Sequence, residues 1–367
     1  MSELLINIAC GVLGALVLVP VFVDVFGTAI LSRPMRTLRL SRLLWAAMWG
    51  VWRARARALD DADRREKLFG IYAPFTSLTI VFFWLVFCII GFGLITYASR
   101  GGVRPEPQSL LEAMYAIGCT ILTIGYGDYV PVSPGMRVIA LFAATAGPGL
   151  FAITVTFLFS ILAAFQRREI FVVALDPLTG TPASGVRFLK THAELGLIDT
   201  LPQSMREGRT WIAEILENHL AYPILPYFRS THRGESWLGT LGALLDAATL
   251  MVTALDGVQS GQARLLLASG THLAEDLAEY FTPSHQHDHD ESDVGIERVE
   301  FEYALCALRE SGYSVRPADQ AWPLFAAIRK DYAADLNMLA RNWLIPPAQW
   351  IGDRSLIRPH PTHARTV

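Results

Sequence analysis

The sequence predicts an all-α membrane protein that carries a mostly helical soluble domain in its second half. Three long segments are almost free of charge, and from residue 169 onward the chain changes to amphipathic stretches interrupted by Pro and Gly. The 367 residues are 52% hydrophobic and 18% charged, with a net charge of −3. This balance is typical of a chain partly embedded in lipid, and it offers no basic field for a nucleic-acid partner.

In the first apolar segment, residues 1–32, Asp24 is the one charge between Leu4 and Leu31, a run of about 28 residues. At about 1.5 Å per residue it is long enough to cross a bilayer as a helix. A cleaved signal peptide would need a basic start and a shorter apolar core, whereas this segment begins with Glu3. A carboxylate at the depth of Asp24 is costly unless it is paired or faces water. Both an ion- or proton-sensing role and a hydrogen-bonded packing contact, with Thr28 or a neighbouring helix, are therefore open.

Residues 33–70 form a basic segment with ten Lys and Arg residues against four acids. The basic residues are Arg33, Arg36, Arg39, Arg42, Arg53, Arg55, Arg57, Arg64, Arg65 and Lys67. Because positive charge collects on the cytoplasmic side, we expect this loop and everything after Arg167 inside, and the N-terminus outside.

The first four of these arginines recur every three residues, which is also the spacing of a voltage-sensing helix. The apolar run that follows, Leu43 to Trp52, is too short to span, and one membrane helix precedes it instead of three. The alternative is a basic amphipathic helix at the cytoplasmic interface. Its interfacial anchors would be Trp45, Trp49 and Trp52, which share one helical face.

Residues 71–168 contain two further spans, an outer helix at 71–98 and an inner helix at 136–166. Between them, Ser109 and Glu112 form a capping box, which predicts a helix over 109–122. This helix is too short to cross the membrane. It is therefore predicted to be re-entrant, which is tolerated only where protein or a water-filled cavity surrounds it.

The re-entrant helix leads into Thr123-Ile124-Gly125-Tyr126-Gly127-Asp128. Glycine reaches backbone conformations closed to other residues, so successive carbonyls can point the same way. Four such strands around an axis would stack rings of carbonyl oxygens, to which the Thr123 hydroxyl adds one more, and these rings can replace the water shell of K⁺. Since one chain supplies one strand, a closed ring demands four subunits, as in a homotetramer.

This segment resembles the signature of potassium channels, and the order of outer helix, pore helix, filter and inner helix is similar to their two-helix pore module. The resemblance covers about residues 71–166 and implies the potassium-channel pore fold. It implies that the backbone carbonyls of Thr123, Ile124, Gly125 and Tyr126 line the K⁺ sites, with Gly127 completing the filter and Asp128 at the outer mouth. Gly147 falls where the family often has its inner-helix gating hinge, and Pro148 beside it would weaken the helix further.

Two positions depart from the family pattern. Ile124 stands where Val is commoner, a change of one methylene on the packing side that we expect to be neutral. Tyr115 and Ala116 stand where the family often has a Trp pair that braces the filter tyrosine. Selectivity is therefore expected, whereas the rigidity of the filter at low K⁺ is open.

Residues 169–350 are predicted to form the helical cytoplasmic domain, followed by a tail at 351–367. Leu238 to Leu255 could pass for a fourth span on hydropathy, but it is short and contains Asp246, which favours a buried core helix. Trp211 to Trp237 is rich in residues that could bind a ligand or form a core. We find no dinucleotide fingerprint and no Walker sequence, so a nucleotide- or Ca²⁺-binding regulatory domain of the RCK type is not supported.

A histidine-rich stretch, His285, His287 and His289, lies in a very polar, acidic segment after Pro283. It is interpreted as a solvated loop, with weak metal binding as the alternative.

The sequence thus predicts a K⁺-selective channel rather than an enzyme. It is expected in a bacterial plasma membrane, without a cofactor beyond the permeant ion, and with an unidentified gating ligand or partner at the cytoplasmic domain. Two alternatives share the architecture, a non-selective cation channel and a membrane-anchored sensor with a silent pore. A K⁺ transporter with four unequal pore repeats is disfavoured because this chain has one repeat.

Overall fold

A computed structural model of the chain describes residues 2–29, 40–59, 61–230, 232, 234–282, 295–345 and 348–350. The chain divides into two compact units, Met1–Ala163 and Ala164–Val367. Both units are built from helices, and the strands found among the described residues are two residues long. The predicted all-α class is confirmed.

Within the described residues, the first unit has three helices that are long and apolar enough to cross a membrane. Its elements are α1 (Ser2–Ala29), α2 (Leu40–Arg57), α3 (Ala62–Ala98), β1 (Val103–Arg104), α4 (Leu110–Ile121), β2 (Val130–Pro131) and α5 (Pro134–Thr179), the last of which continues into the second unit. The strands β1 and β2 pair antiparallel, Val103 opposite Pro131. This pairing joins the segment before α4 to the segment after the predicted filter.

Two helices are longer than the charge pattern predicted. The outer helix α3 begins at Ala62 rather than at 71, and the inner helix α5 ends at Thr179 rather than at 166. Charged residues mark where a helix leaves lipid. They do not end the helix, because Arg167 and Arg168 continue the backbone hydrogen bonding without strain.

Helix α1 packs closely against α3 through small residues. A Cβ placed on Gly14 would lie 2.6 Å from the carbonyl oxygen of Gly91, and one on Gly91 would lie 2.6 Å from the side chain of Leu18. Glycines at a crossing let two membrane helices approach until their backbones touch. Helix α1 therefore packs directly on the outer helix α3.

Asp24 of α1 is buried and accepts three hydrogen bonds. Its partners are the backbone N–H and the hydroxyl of Ser41 at the start of α2 and the indole of Trp84 on α3. These partners lie on neighbouring helices, one of the two alternatives expected for Asp24, while Thr28, the other, lies 3.1 Å from the Ser41 hydroxyl. Of the two interpretations of Asp24, these hydrogen bonds agree with a packing contact.

The tryptophan face of α2 is turned toward α3. The hydroxyl of Tyr72 donates to the carbonyl of Trp45 at 3.0 Å, and the indole of Trp52 donates to the carbonyl of Leu68 at 3.1 Å. Trp49 packs its ring against Phe69 and Tyr72. The tryptophans brace α2 against α3, a contact that their interpretation as interfacial anchors did not include. Of the evenly spaced arginines, Arg33, Arg36 and Arg39 lie outside the described residues.

The carboxyl-terminal domain, the described residues from Ala164 to Trp350, is a helical bundle. Beyond the end of α5 its elements are α6 (Gly185–Glu194), α7 (Leu201–Ala221), α8 (Trp237–Thr253), β3 (Leu255–Asp256), α9 (Gly261–Phe281), α10 (Arg298–Glu310), β4 (Ser314–Val315) and α11 (Ala318–Trp343). Every residue of α8 is buried, with α6, α9 and α11 packed around it. The interpretation of this stretch as a core helix rather than a fourth span is confirmed.

Two buried arginines organise the domain. Arg168, near the end of α5, donates to the carbonyls of Leu225 and Phe228 at 3.1 and 2.7 Å and pairs with Glu169 at 3.0 Å. Arg329 of α11 pairs with Asp246 of α8 at 3.0 Å. Both guanidinium groups have hydrogen-bonded acceptors, as burial of charge requires.

Candidate functional site

The short helix α4 starts with the predicted capping box. The backbone N–H of Glu112 donates to the Ser109 hydroxyl at 3.2 Å. In return the Glu112 carboxylate accepts from the backbone N–H of Gln108 at 2.8 Å, one residue before the amide of an ideal box. The helix has 12 residues, so it is about 18 Å long and cannot cross a bilayer.

The carboxyl-terminal end of α4 holds the start of the next segment. The carbonyl of Cys119 accepts from the backbone N–H of Ile124 at 2.8 Å and from that of Gly125 at 3.4 Å. Two residues of the predicted filter are therefore hydrogen-bonded to the last turn of the pore helix. A displacement of that turn would displace them.

Every second residue of the predicted filter, starting at Thr123, has a left-handed backbone conformation. Thr123, Gly125 and Gly127 have φ values of 55°, 67° and 80°. Ile124 and Tyr126 between them are not in the left-handed region. Alternating hands turn successive peptide planes so that their carbonyls can face one side of the strand. Left-handed backbone costs a non-glycine residue such as Thr123 about 1–2 kcal/mol, so the surrounding structure must hold it there.

The two bulky residues of the filter have little cover from their own chain. The side chain of Tyr126 is 70% exposed and that of Ile124 is 45% exposed. The sequence predicts that both point away from the pore into packing. Among the described residues of the chain, no such packing covers them.

An aromatic pair links the pore helix to the outer end of the filter. The hydroxyl of Tyr115 on α4 lies beside the Asp128 carboxylate. The Tyr115 ring stands edge-on to that of Tyr129 at 6.1 Å, and the Tyr129 hydroxyl donates to Glu112 at 3.3 Å. Tyr115 therefore contacts the filter end although the Trp pair of the family is missing. The sequence shows the substitution but carries no signal for this contact.

Gly147 and Pro148 lie inside α5, which remains one helix through both residues. A Cβ on Gly147 would lie 1.8 Å from the carbonyl oxygen of Ile121, the last residue of α4. A hinge at this point stays a prediction. The contact with α4 is a second reason for glycine here, and the sequence contains no signal for it beyond the glycine itself.

Trp211, His219 and Trp237 are buried and form part of the domain interior around Arg168. The indole of Trp211 donates to the Arg168 carbonyl at 3.2 Å, and the rings of His219 and Trp237 are 4.6 Å apart. Burial, reinforced by the nearby Arg168 charge, holds the pKa of His219 well below its usual value. Of the two interpretations of this stretch, the structure favours a domain core.

No group of three potential metal ligands occurs among the described residues. The histidine-rich stretch of His285, His287 and His289 lies outside them.

Comparison with known proteins places an ion-channel region in the first unit. Residues 74–164 match a family model described as an ion channel. The uncharacterized membrane protein YdjJ of Bacillus subtilis (strain 168) is 24% identical over 145 residues, which is 40% of this chain and 42% of that protein. The chain thus spans less than half the length of this relative. No solved structure matches the chain. The family match supports an ion-channel function for the region that contains α4, the predicted filter and most of the apolar part of α5.

Proposed function

Starting from the ion-channel region at residues 74–164, we propose that the chain is one subunit of a homotetrameric, K⁺-selective channel. One observation carries the proposal, the alternation of backbone hand at Thr123, Gly125 and Gly127 directly after a short capped helix. K⁺ selectivity needs rows of carbonyl oxygens aimed at an axis, and this backbone is able to present them.

In the proposed pore, the carbonyls of residues 123–126 from four chains form rings that replace the hydration shell of K⁺. The Thr123 hydroxyl adds a further oxygen at the inner end. Its hydrogen is donated to the carbonyl of Leu122 at 2.7 Å, so its lone pairs remain available to an ion. Several sites in series let neighbouring ions help each other leave, so selective binding and rapid flow are compatible.

Fourfold cyclic assembly would supply what the described residues of one chain do not. One strand makes one wall of a filter, and the side chains of Ile124 and Tyr126 are exposed in the single chain. In a tetramer, neighbouring copies would cover these side chains while the carbonyls face the axis.

The carboxyl-terminal domain is proposed to lie in the cytoplasm and to gate or assemble the pore. Its orientation is inferred from the basic segment at 33–70. Arg168, which belongs to the inner helix α5, is bonded to the carbonyls of Leu225 and Phe228 in this domain. A ligand or partner that moves the segment from Leu225 to Phe228 would thereby also move α5.

The proposal is tested by flux through purified protein in liposomes, with Na⁺ as the competing ion and Ba²⁺ as the blocker. K⁺-selective, Ba²⁺-sensitive flux is expected. Equal K⁺ and Na⁺ flux would favour a non-selective cation channel. The filter variant is Gly125→Ala, which forces a side chain onto a φ of 67° and is expected to abolish selectivity or current. Its matched control is Gly135→Ala on α5, where an added Cβ meets no atom within 4 Å.

Binding of K⁺ provides a second measurement that does not depend on an open gate. An ion that binds the folded assembly raises its unfolding temperature. Stabilisation by K⁺ over Na⁺ without flux would indicate a closed pore, whereas neither flux nor K⁺ stabilisation would favour the membrane-anchored sensor with a silent pore.

A further inference from the structure

An apolar cleft of about 530 Å³ lies in the first unit between α1, α3 and α5. Phe22 and Val25 line this membrane cleft from α1, Phe92 lines it from α3, and Gly149 lines it from α5. All three helices are long and apolar enough to cross a membrane. The membrane cleft is therefore a gap between membrane-spanning segments, where the surrounding medium is hydrocarbon.

The membrane cleft is long and narrow. Its lining on α5 runs from Ile139 to Ile153, and fourteen helical steps of about 1.5 Å make this length about 21 Å. Its volume spread over that length gives a mean cross-section of about 25 Å², which is the width of one hydrocarbon chain rather than two. Half of a roughly 30 Å hydrocarbon layer is about 15 Å deep, so one lipid tail fits within the length of the membrane cleft.

The lining of the membrane cleft is unsuited to a polar ligand. Among the described residues that line it, none is charged. The hydroxyl of Thr145 already donates within its own helix, to the carbonyls of Leu141 and Phe142 at 3.2 and 2.9 Å. The thiol of Cys88 is a weak donor. A polar molecule would lose its hydrogen bonds to water on entering, whereas a hydrocarbon chain has none to lose.

The membrane cleft has free space inside and is open to its surroundings. A Cβ added to Gly149 meets no atom within 4 Å, although this residue is part of the lining. Phe22 and Phe142 also line the cleft, and their side chains are 43% and 67% exposed. A chain can therefore enter from the bilayer. A gap of this size left empty would deprive its lining of the contacts that close packing supplies.

Helix α1 makes the membrane cleft possible. It packs closely on α3, where Gly14 and Gly91 bring the two backbones together. On its other side, Phe22 and Val25 face the cleft, and the lining residues of α5 stand across from them. The outer and inner helices alone would lack this wall. A chain held in the cleft contacts both α1 and α5.

We propose that the membrane cleft binds one acyl chain of a membrane phospholipid, which bridges α1 and α5. A phospholipid is the occupant because its tails are the hydrocarbon that surrounds these helices, and because one tail matches the length, width and polarity of the cleft. The bound tail completes the packing of the additional first helix against the inner helix. This binding site does not depend on ion selectivity, so it goes beyond the proposed channel function.

Two matched substitutions on α5 test the site. Gly149→Leu places a side chain in the space that the acyl chain would occupy, and its first atom has room. Gly135→Leu adds the same side chain to the first turn of the same helix, where a Cβ also meets no atom within 4 Å. Gly135 is not part of the cleft lining, so this variant is the control.

The measurement is photolabelling of the full chain after its lipid has been removed in detergent. The probe is a phosphatidylcholine with a diazirine midway along one acyl chain, added in rising amounts, and labelled peptides are identified by mass spectrometry. Labelling of the peptide that contains Phe92 should saturate and should fall when unlabelled phosphatidylcholine competes. We expect about tenfold less labelling there in Gly149→Leu, since an apolar pocket discriminates about that strongly against a misfit of a few methylenes, and a change within about twofold in Gly135→Leu.

Labelling that does not saturate, or that is equal in Gly149→Leu and the unaltered chain, would mean passing contact with bulk lipid and would overturn the proposal. If another copy of the chain fills the cleft instead, the assembled protein takes up no probe at Phe92, and the proposal also fails.

A second measurement uses the unaltered protein and does not require Gly149→Leu to fold. Phosphatidylcholine added to the delipidated chain should raise its unfolding temperature to a plateau, because a ligand that binds the folded state stabilises it. Phe22→Ala, which removes part of the α1 wall at a half-exposed side chain, should lower that rise. An absent rise, or an equal rise in Phe22→Ala, would count against the site. Ion flux is not measured here, so a negative result leaves the proposed function untouched.

Discussion

The indole Nε1 of Trp84 on α3 donates a hydrogen bond of 2.8 Å to the carboxylate of Asp24 on α1. The same carboxylate accepts from the backbone N–H of Ser41 at 3.1 Å and from its hydroxyl at 2.7 Å. Ser41 lies in the first turn of α2, where backbone N–H groups lack helical partners and a negative charge is favoured. One buried carboxylate therefore connects three helices.

Two substitutions of Asp24 distinguish the effect of its charge from the effect of its hydrogen bonds. Asp24→Leu leaves the Trp84 and Ser41 donors buried without an acceptor, and we expect a loss of about 3 kcal/mol or more in the free energy of unfolding. Asp24→Asn keeps an oxygen for Trp84 and the backbone N–H, and its amide can donate to the Ser41 hydroxyl, so the loss should stay below about 1 kcal/mol. Denaturant unfolding of the full chain in detergent measures both. Equal damage in the two variants would show that the charge itself is needed.

Tyr115→Phe removes the hydroxyl that lies beside Asp128 while retaining the ring. We expect normal assembly but faster loss of K⁺ flux after exposure to low external K⁺, because the outer end of the filter loses a restraint. Tyr115→Trp, which restores an N–H donor, should recover part of the lifetime. The measurement is K⁺ flux as a function of time in low K⁺.

The matched control is Tyr129→Phe, which removes a hydroxyl from the same aromatic pair but leaves the Tyr115 hydroxyl in place beside Asp128. The bracing role is refuted if Tyr115→Phe and Tyr129→Phe decay at the same rate as the unaltered protein.

Local features of the fold could be predicted from the sequence because they depend on neighbours along the chain. The start of α4 follows from Ser109 and Glu112, and its length follows from the glycines after it. The left-handed positions at Gly125 and Gly127 follow from the residue type. The core location of α8 follows from its short length and from Asp246, since a charge is tolerated in a soluble core when it is paired.

What could not be predicted depends on contacts between distant residues. Asp24 finds Trp84 sixty positions away, and Gly147 meets a backbone oxygen of α4 that no side-chain pattern reveals. Helix α5 continues beyond the predicted end at 166 because Arg167 and Arg168, which predict where the chain leaves the membrane, do not end the helix. Arg168 instead enters the interior of the carboxyl-terminal domain, where it bonds to backbone carbonyls. A charge pattern cannot distinguish an arginine in water from one with buried partners.

Removing one member of the buried pair of Arg329 and Asp246 should cost more stability than removing both. Arg329→Met leaves the Asp246 carboxylate buried and unpaired, with an expected cost of about 3–5 kcal/mol. The double variant Arg329→Met with Asp246→Leu leaves no buried charge and should cost less than Arg329→Met alone. The free energy of unfolding of the full chain in detergent measures both.

The exposed pair of Lys190 and Glu194, 3.7 Å apart on α6, is the control for this ion pair. Lys190→Met should cost less than about 1 kcal/mol, since solvent screens that pair. Costs that simply add in the double variant of the buried pair would contradict the argument, because they would mean that the two side chains act independently.

His219 should make the carboxyl-terminal domain sensitive to acid. The ring is fully buried against Trp237, its Nδ1 lies 2.8 Å from the Ile215 carbonyl, and its Nε2 finds no hydrogen-bond partner within the described ranges. Burial and the charge of Arg168 lower the pKa of His219 in the folded state. Below an unfolded pKa of about 6.5 the unfolded chain therefore binds a proton that the folded chain does not, and stability falls as pH falls, by at most about 1.4 kcal/mol per pH unit.

The variant His219→Phe keeps a ring beside Trp237 but cannot bind a proton. Between about pH 6.5 and pH 5 we expect hydrogen exchange in α7 and α8 to rise in the unaltered chain and to rise less in His219→Phe. His272→Gln on α9, where the side chain is 64% exposed, is the control and should behave like the unaltered chain. His192 is also buried with a lowered pKa, so some acid sensitivity will remain in α6 when His219 is replaced. If α7 and α8 respond to acid identically with and without His219, its protonation is not what loosens this part of the domain, and the acid response must come from elsewhere.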